Sequence, residues 1–282
     1  MHTTLIAAAE LRAMRPAVVI FDCRFDLANP AAGRAAYLGG HVPGAHYADL
    51  NADLAAPVGA ASGRHPLPSP AALARFLANH GVREDTQVVA YDEANGAFAA
   101  RLWWLLRWLG HDAVAVLDGG LEAWVASGGE LETGARDPSG RVPIPAFSVR
   151  LRARLALTTA QVQAALRDPE RLLIDARAPD RYAGRTEPLD PVAGHVPGAV
   201  NQPFTDNLDP KARFLPAAEL KSHWLARLGE AAPENAIMMC GSGVTACHNL
   251  LAMEIAGLPG ATLYGGSWSE WIRDPSRPIA CG

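Results

Sequence analysis

The 282-residue chain has no long apolar run and no large excess of charge of either sign. Its 25 basic and 29 acidic residues leave a formal net charge of −4, so nothing predicts a nucleic-acid partner or a membrane surface. The most apolar window, Leu102 to Leu109, contains Arg107 and is much shorter than a bilayer-spanning helix. The N-terminus lacks a basic region followed by an apolar run, so we expect no signal peptide.

Cysteine is also scarce, and the four cysteines are scattered at Cys23, Cys240, Cys247 and Cys281. No pair has Cys-x-x-Cys or zinc-site spacing, so no metal site is predicted. Free thiols suit a reducing compartment, and we expect a cytoplasmic protein. The chain is 49% hydrophobic and 19% charged, which is typical of a globular protein long enough for two domains.

An internal repeat organises the chain. The hexapeptide Gly40 to Ala45 recurs letter for letter as Gly194 to Ala199, 154 positions later. Matching residues surround both copies: Asp22 with Arg24 and Asp175 with Arg177 upstream, and Gly119-Gly120 with Trp124 and Gly265-Gly266 with Trp271 downstream. The agreement predicts a tandem duplication.

Short apolar strands alternate with helices in each half. The predicted strands are Val18–Phe21, Gln87–Tyr91, Val114–Leu117, Leu172–Asp175, Ala236–Met239 and Thr262–Tyr264. The predicted helices run from Ser69-Pro70 to about Gly81, over Ala97–Leu109, from a Thr158/Gln161 capping box to about Arg167, and over Ala217–Leu228 and Ala246–Ala256. These patterns predict an α/β fold in which each repeat is a mostly parallel sheet with helices on both faces. The expected domains are residues 1–132 and 148–282, joined by a linker over 133–147 that is rich in glycine, proline and charge.

Cys240 is the candidate nucleophile. It follows a predicted buried strand and precedes a predicted helix, with Gly241 and Gly243 in the turn between them. Such a turn can direct backbone N–H groups inward as an anion nest, and the helix N-terminus adds to that field, so both favour a thiolate. The alternative is a small buried apolar side chain, which is the interpretation we prefer for Cys247.

The first half differs from the second at this position. Aligning the strands Gln87–Tyr91 and Ala236–Met239 places Asp92 opposite Cys240. An aspartate cannot perform thiol chemistry, so we expect the second half to be active and the first to be a catalytically inactive partner. Sites in such sheets form beyond the carboxyl ends of the strands, where Cys240 lies.

With these motifs in place, the chain resembles the two-domain sulfurtransferases of the rhodanese superfamily. The loop from Cys240 to Thr245 resembles that of the 3-mercaptopyruvate sulfurtransferases, whereas thiosulfate sulfurtransferases typically carry basic residues at the positions of Gly241 and Ser242. The resemblance implies sulfur transfer from 3-mercaptopyruvate to a thiol or cyanide through a Cys240 persulfide, with release of pyruvate and with no cofactor. Its backbone donors would be Gly241, Ser242, Gly243, Val244 and Thr245. A thioredoxin-like protein is one expected thiol acceptor.

The resemblance also suggests cationic side chains for the donor. Arg181 and Arg177 match basic residues of the family, and the alternative for each is an ion pair with a nearby aspartate or a surface position. The mercaptopyruvate enzymes usually have a further arginine before the repeated hexapeptide. The stretch Glu187 to Pro191 has none, although Arg185 is near.

His65 matches a family histidine that would polarise Ser242 and manage a proton, the alternative being an exposed loop histidine. Its acidic partner stays open among Asp49, Asn51 and Asp53. His41 and His195 occur in both halves of the repeat, so we expect structural roles for both.

Other classes fit less well. Phosphatases and arsenate reductases with a Cys-x5-Arg loop need an arginine where this chain has Ala246. A non-enzymatic rhodanese-like binding module is a second alternative. Among enzymes, thiosulfate is the alternative donor, which an uncharged loop disfavours because a dianion gains from nearby cations.

Overall fold

The computed structural model describes residues 1–14, 17–93, 95–135 and 148–282. The described chain divides into two units. The first unit contains Met1–Ala56, Pro68–Arg152 and Pro210–Arg213, and the second contains Pro57–Leu67, Ala153–Asp209 and Phe214–Gly282. Residues 136–147, most of the predicted linker, lie outside the described residues.

The first unit is built on a five-stranded parallel sheet with the order β1-β5-β4-β2-β3. Its elements are β1 (Leu5–Ile6), α1 (Ala8–Met14), β2 (Val18–Asp22), α2 (Pro30–Gly39), β3 (His46–Tyr47), α3 (Pro70–Asn79), β4 (Gln87–Tyr91), α4 (Ala99–Trp108), β5 (Val114–Leu117) and α5 (Gly120–Ala126). Val89 and Tyr91 of β4 join a buried cluster with Leu11 of α1 and Trp124 of α5. Side chains alternate along a strand, so the intervening residues of β4 point to the opposite face of the sheet. The helix α4 contacts β4 and β5.

The second unit repeats this design with the strand order β6-β10-β9-β7-β8, again all parallel. Its elements are β6 (Ala156–Leu157), α6 (Thr159–Ala165), β7 (Leu172–Asp175), α7 (Pro179–Tyr182), β8 (Val200–Asn201), α8 (Ala217–Leu228), β9 (Ala236–Met239), α9 (Thr245–Ile255), β10 (Thr262–Tyr264) and α10 (Ser267–Trp271). Ile237 and Met239 of β9 pack with Val162 of α6 and Trp268 of α10. The helix α9 contacts β9, β10 and α8.

The predicted fold class is confirmed, and both sheets are entirely parallel. Five of the six predicted strands have the observed bounds, and the sixth, β2, extends one residue further to Asp22. The capping box of α6 is present: Thr158 accepts from the backbone of Gln161, whose side chain accepts from the backbone N–H of Thr158. The helices α4, α6 and α9 differ by one or two residues at their ends from the prediction, because end turns fray or tighten.

None of the helices formed by the described residues combines the length and apolarity that a membrane crossing requires.

Candidate active site

Cys240 lies at the carboxyl end of β9, between the strand and α9. Its side chain is buried, with 2% of the residue exposed. Both backbone polar groups of Cys240 are hydrogen-bonded. Its carbonyl accepts from the N–H of Trp268 at 3.0 Å, and its N–H donates to Oγ of Ser267 at 3.1 Å. The sulfur therefore has a defined position.

The loop after Cys240 curls around the sulfur. The N–H of Gly243 donates to Cys240 Sγ at 3.2 Å. Gly243 has a φ of +76°, and a β-carbon there would lie 2.4 Å from the carbonyl oxygen of Gly265, so only glycine fits. Among the described residues, no acceptor takes the N–H groups of Ser242, Val244 or Thr245. The loop thus offers an anion nest around a sulfur that already receives one hydrogen bond.

The first unit has a related loop, two residues longer, that binds a carboxyl group at the equivalent strand end. Asp92 occupies the position of Cys240, and its buried carboxylate accepts from the N–H groups of Gly96, Phe98 and Ala99 at 2.9 to 3.1 Å. Burial raises the pKa of Asp92, while these three hydrogen bonds oppose that rise. Counted back from the first residues of α4 and α9, the three donors correspond to Thr245, Val244 and Ser242. The N–H groups without acceptors in the second unit therefore lie in the loop whose longer counterpart binds the carboxyl group of Asp92 in the first.

His65 and Ser242 lie together in the second unit, with His65 Nδ1 and Ser242 Oγ 2.7 Å apart and both residues buried. The segment Pro57–Leu67 that carries His65 is fixed to this unit at two points. Arg64 N–H donates to Ser269 Oγ at 3.0 Å, and Arg273 Nε donates to the carbonyl of Ser62 at 3.1 Å. An imidazole bonded to a hydroxyl two residues from the nucleophile can move a proton there.

Arg181 and Arg64 both reach the loop at Gly241. A methyl group on Cα of Gly241 would lie 2.9 Å from Nη2 of Arg64 and 3.4 Å from Nη2 of Arg181. Arg181 is held by Glu187 at 2.6 Å and by Asp190 at 3.3 Å, and Asp190 also forms an ion pair with Arg64. The pKa of the Arg64 guanidinium is lowered, chiefly by burial and also by the neighbouring charge of Arg181.

Arg177 and Arg185 are placed differently. The side chain of Arg177 is 1% exposed and donates to Asp175, Glu187 and the carbonyl of Gly194, with its guanidinium over the ring of Trp268. In the first unit, Arg24 donates to Asp22 and the carbonyl of Gly40 in the same way. The two units thus share this buried ion pair, which favours a role for Arg177 in holding the fold. The side chain of Arg185 is 64% exposed and pairs with Asp180, away from any described contact with the loop.

The histidines of the repeated hexapeptide have structural contacts. His41 stacks on Tyr37 and bonds its carbonyl, and His195 does the same with Tyr182.

The candidate acidic partners of His65 lie in the first unit and bond within their own loop. Asp49 accepts from the N–H groups of Asn51 and Ala52, and Asp53 accepts from the N–H of Asp49. These bonds explain why the loop keeps its shape and leave the partner of His65 unassigned.

Cys247 is fully buried in α9, where its thiol donates to the carbonyl of Gly243. This contact agrees with its prediction as a packing residue.

Two residues of the site were missed from the sequence. Arg64 was passed over because its partner Asp190 is 126 positions away, a separation at which sequence carries no pairing signal. Aligning Trp124 with Trp271, rather than the two Gly-Gly pairs, places Ser267 opposite Gly120, and both have left-handed backbones, with φ of +53° and +57°. A serine kept where the equivalent residue is glycine indicates a use for its hydroxyl.

The arrangement defines a class of protein: a thiol enzyme whose nucleophile lies in a backbone nest at the end of a parallel sheet, in one of two duplicated units. The nest has no guanidinium in the sixth position after the cysteine, which phosphoryl transfer would need, because that residue is Ala246.

Comparison with known proteins narrows this class. Residues 7–127 and 158–274 match the rhodanese-like domain model, so the chain belongs to the rhodanese family. It is 49% identical, over 99% of its length and 98% of the relative's, to a Pseudomonas aeruginosa protein named probable 3-mercaptopyruvate sulfurtransferase. A Mycobacterium tuberculosis protein, provisionally named a thiosulfate sulfurtransferase, is 42% identical over 99% of this chain and 97% of the relative's length. The solved 3-mercaptopyruvate sulfurtransferase from Leishmania major matches with a TM-score of 0.83 and 31% identity, covering 95% of this chain and 74% of that one.

Proposed function

We propose that this protein is a sulfurtransferase that takes sulfur from 3-mercaptopyruvate, holds it as a persulfide on Cys240 and passes it to a thiol or cyanide. The relative named for mercaptopyruvate is the more similar of the two curated relatives above, at 49% against 42% identity. The proposal extends that donor to this chain, with the first unit as a catalytically inactive partner.

The observation that carries the proposal is the nest around Cys240. A persulfide places a negative charge on its outer sulfur, beyond Sγ, and preorganised N–H donors stabilise such a charge without reorganising. Gly243 already donates to Sγ, and the donors of Ser242, Val244 and Thr245 remain for the outer atom. Asp92 in the first unit supports this use, because its carboxyl group accepts from three backbone N–H groups of the corresponding loop.

The donor half-reaction balances with a single proton transfer. The Cys240 thiolate attacks the thiol sulfur of mercaptopyruvate, a sulfur–sulfur bond forms, and the carbon–sulfur bond breaks. The electron pair of that bond goes to the carbon as pyruvate enolate, and the proton that was on sulfur ends on that carbon. In the acceptor half-reaction a thiol takes the outer sulfur and the Cys240 thiolate returns, which predicts ping-pong kinetics.

The His65–Ser242 pair favours mercaptopyruvate over thiosulfate. Transfer from mercaptopyruvate needs a proton to move from sulfur to carbon, and a histidine–hydroxyl pair at 2.7 Å is suited to that task. Transfer from thiosulfate releases sulfite and needs no proton. We therefore assign Cys240, Ser242 and His65 to catalysis, and the backbone of residues 241–245 with Arg181 to binding.

Thiosulfate remains the second candidate donor, because two arginine side chains lie beside the uncharged loop that follows Cys240. Arg64 and Arg181 lie where a side chain of residue 241 would be. Glu187 and Asp190 balance their two charges, so the site has little net positive charge for a dianion. A monoanionic carboxylate that uses the remaining N–H groups fits this balance better.

Persulfide chemistry suggests the sulfur acceptor and the cellular compartment of the protein. A persulfide is discharged by thiols, which a reducing cytoplasm supplies in small molecules and in thioredoxin-like proteins. We propose a thiol acceptor, such as a thioredoxin-like protein, and a cytoplasmic location for this chain. The chemistry calls for neither a metal nor an organic cofactor.

The test is to incubate the protein with mercaptopyruvate and measure the mass of the intact chain and pyruvate release. We expect a gain of one sulfur atom on Cys240 and its loss on adding dithiothreitol. Cys240→Ser should abolish both signals, because a serine hydroxyl stays protonated, while Cys247→Ser should leave most of the activity. Ser242→Ala should slow transfer from mercaptopyruvate more than from thiosulfate. A sulfur gain on another cysteine, or turnover by Cys240→Ser, would refute the assignment.

A further inference from the structure

We infer that Arg64 is a donor-binding residue: its guanidinium and that of Arg181 form a two-armed clamp over Gly241 that takes the carboxylate of the donor. This deepens the proposed function and rests on it, since it concerns how the same site holds a carboxylate-bearing mercaptan.

Geometry places both guanidiniums against the nucleophile loop. Nη2 of Arg64 and Nη2 and Nη1 of Arg181 lie 2.9, 3.4 and 3.6 Å from the position of a β-carbon on Gly241. Gly241 directly follows the nucleophile, so a molecule whose sulfur reaches Cys240 would have its other end near these nitrogens. In mercaptopyruvate only two carbons separate the sulfur from the carboxylate, so both ends of the donor lie within the reach of adjacent residues.

The two guanidiniums keep N–H groups for a ligand. Arg181 uses Nε and Nη2 for Glu187 and Asp190, and no described residue accepts from its Nη1. Arg64 uses Nη1 for Asp190, and no described residue accepts from its Nη2. Their side chains are 17% and 25% exposed, against 1% for Arg177, so a ligand can reach them. Two guanidinium edges facing one space can bind a carboxylate with several charge-assisted hydrogen bonds.

Asp190 sets the distance between the arms. Its Oδ1 pairs with Arg64 and its Oδ2 with Arg181, and its side chain is only 3% exposed. A carboxylate between the two cations reduces their mutual repulsion and fixes which edges remain outward. The arms are thus preorganised before the donor arrives, which lowers the entropy lost on binding.

Ser269 ties Arg64 to the loop it serves. The Arg64 N–H donates to Ser269 Oγ at 3.0 Å, and the Ser269 N–H donates to the carbonyl of Gly241 at 2.9 Å. The preceding Gly63 approaches so closely that a β-carbon on it would lie 2.6 Å from the carbonyl oxygen of Gly266. One residue therefore holds both Arg64 and Gly241, which is the arrangement expected of a positioned binding group.

The test uses the two half-reactions of the full chain. Arg64→Ala should lower kcat/KM for mercaptopyruvate by about ten- to a hundred-fold, the loss expected for a hydrogen bond to a charged group. Discharge of the persulfide by dithiothreitol, an uncharged thiol, should stay within about two-fold of wild type. Guanidinium ion added to Arg64→Ala should restore part of the donor rate. Arg154→Ala, which removes an exposed arginine of the same unit, is the matched control for both half-reactions.

Arg64→Lys keeps the charge without the planar fork, and Arg64→Gln can still donate to Asp190 without charge. Both should fold if the alanine variant does not, and the lysine variant should lie between glutamine and wild type. Equal slowing of both half-reactions would reduce Arg64 to a structural residue, and an unchanged donor rate would remove it from the site. If the wild type itself formed no persulfide from mercaptopyruvate, the proposed function would fail, a result separate from any effect of Arg64.

Discussion

Ser267 offers a test of how the fold holds the nucleophile. It is fully buried, and its hydroxyl lies between the N–H of Cys240, which donates to it at 3.1 Å, and the carbonyl of Tyr264, to which it donates at 2.8 Å. Its φ of +53° is left-handed, a conformation that non-glycine residues rarely adopt. Gly120, its equivalent in the first unit, has the same conformation without a side chain.

Two substitutions separate the hydrogen bonds from the strain. Ser267→Ala leaves the buried N–H of Cys240 without its acceptor, which costs about 1–3 kcal/mol, and it keeps the left-handed strain. Ser267→Gly loses the same bonds but relieves a strain of about 1–2 kcal/mol, offset in part by the larger entropy of glycine in the unfolded chain. The glycine variant should therefore be more stable than the alanine variant by about 1 kcal/mol. That difference corresponds to roughly 2–4 °C in Tm.

Thermal unfolding and single-turnover persulfide formation measure the two effects. Both variants should form the persulfide more slowly than wild type, since each frees the backbone of Cys240. Gly120→Ala is the control: it adds strain to the first unit, should lower stability by about 1 kcal/mol and should leave the rate unchanged. A glycine variant no more stable than the alanine variant would refute the strain argument. Wild-type rates in both variants would show that the hydroxyl does not matter to the nucleophile.

Two aspartates of the first unit provide the remaining predictions. Asp92→Asn should leave the rate of sulfur transfer within about two-fold of wild type. It should lower the free energy of unfolding by about 1–3 kcal/mol, because the amide NH2 would face one of the three backbone donors. A large loss of transfer in the folded variant would contradict the inactive role of this unit. Asp53 is expected to make stability depend on pH, because burial raises its pKa to about 6, against the hydrogen bond from the Asp49 N–H, from roughly 4 in the unfolded chain. A raised carboxyl pKa favours the folded state when protonated, so this contribution is complete below about pH 4 and is lost as pH rises through about 6. Urea unfolding at several pH values should show wild type losing stability over this window relative to Asp53→Asn, and parallel profiles would contradict the shift.

The fold was predictable where parallel strands are buried on both faces. Runs such as Ala236–Met239 are continuous and apolar, so their bounds could be read directly. The two-residue strands β1, β3, β6 and β8 were missed, since two residues form no pattern. Short helices such as α7, with four residues, have the same problem, and their position is set by tertiary contacts.

The site was predictable where its residues are neighbours in sequence. Cys240 and its loop could be identified from a strand, two glycines and a helix start, and the His65–Ser242 contact from the family resemblance. The partners of the Arg177 guanidinium could not be assigned from sequence. An arginine close to an aspartate can either bind a ligand or form an ion pair with that aspartate. The structure shows Arg177 buried against Asp175 and Trp268. Arg64 could be assigned to the site only from the fold, which brings it into contact with Asp190.

The segment Pro57–Leu67 has a genetic consequence. It is encoded within the first repeat, yet it belongs to the second unit and carries both Arg64 and His65. A deletion of the first repeat would also remove these two side chains from the second unit. We therefore expect the first repeat to be indispensable, whatever residue lies opposite Cys240. A gene cut at the repeat boundary is therefore expected to encode the Cys240 loop without His65 and Arg64.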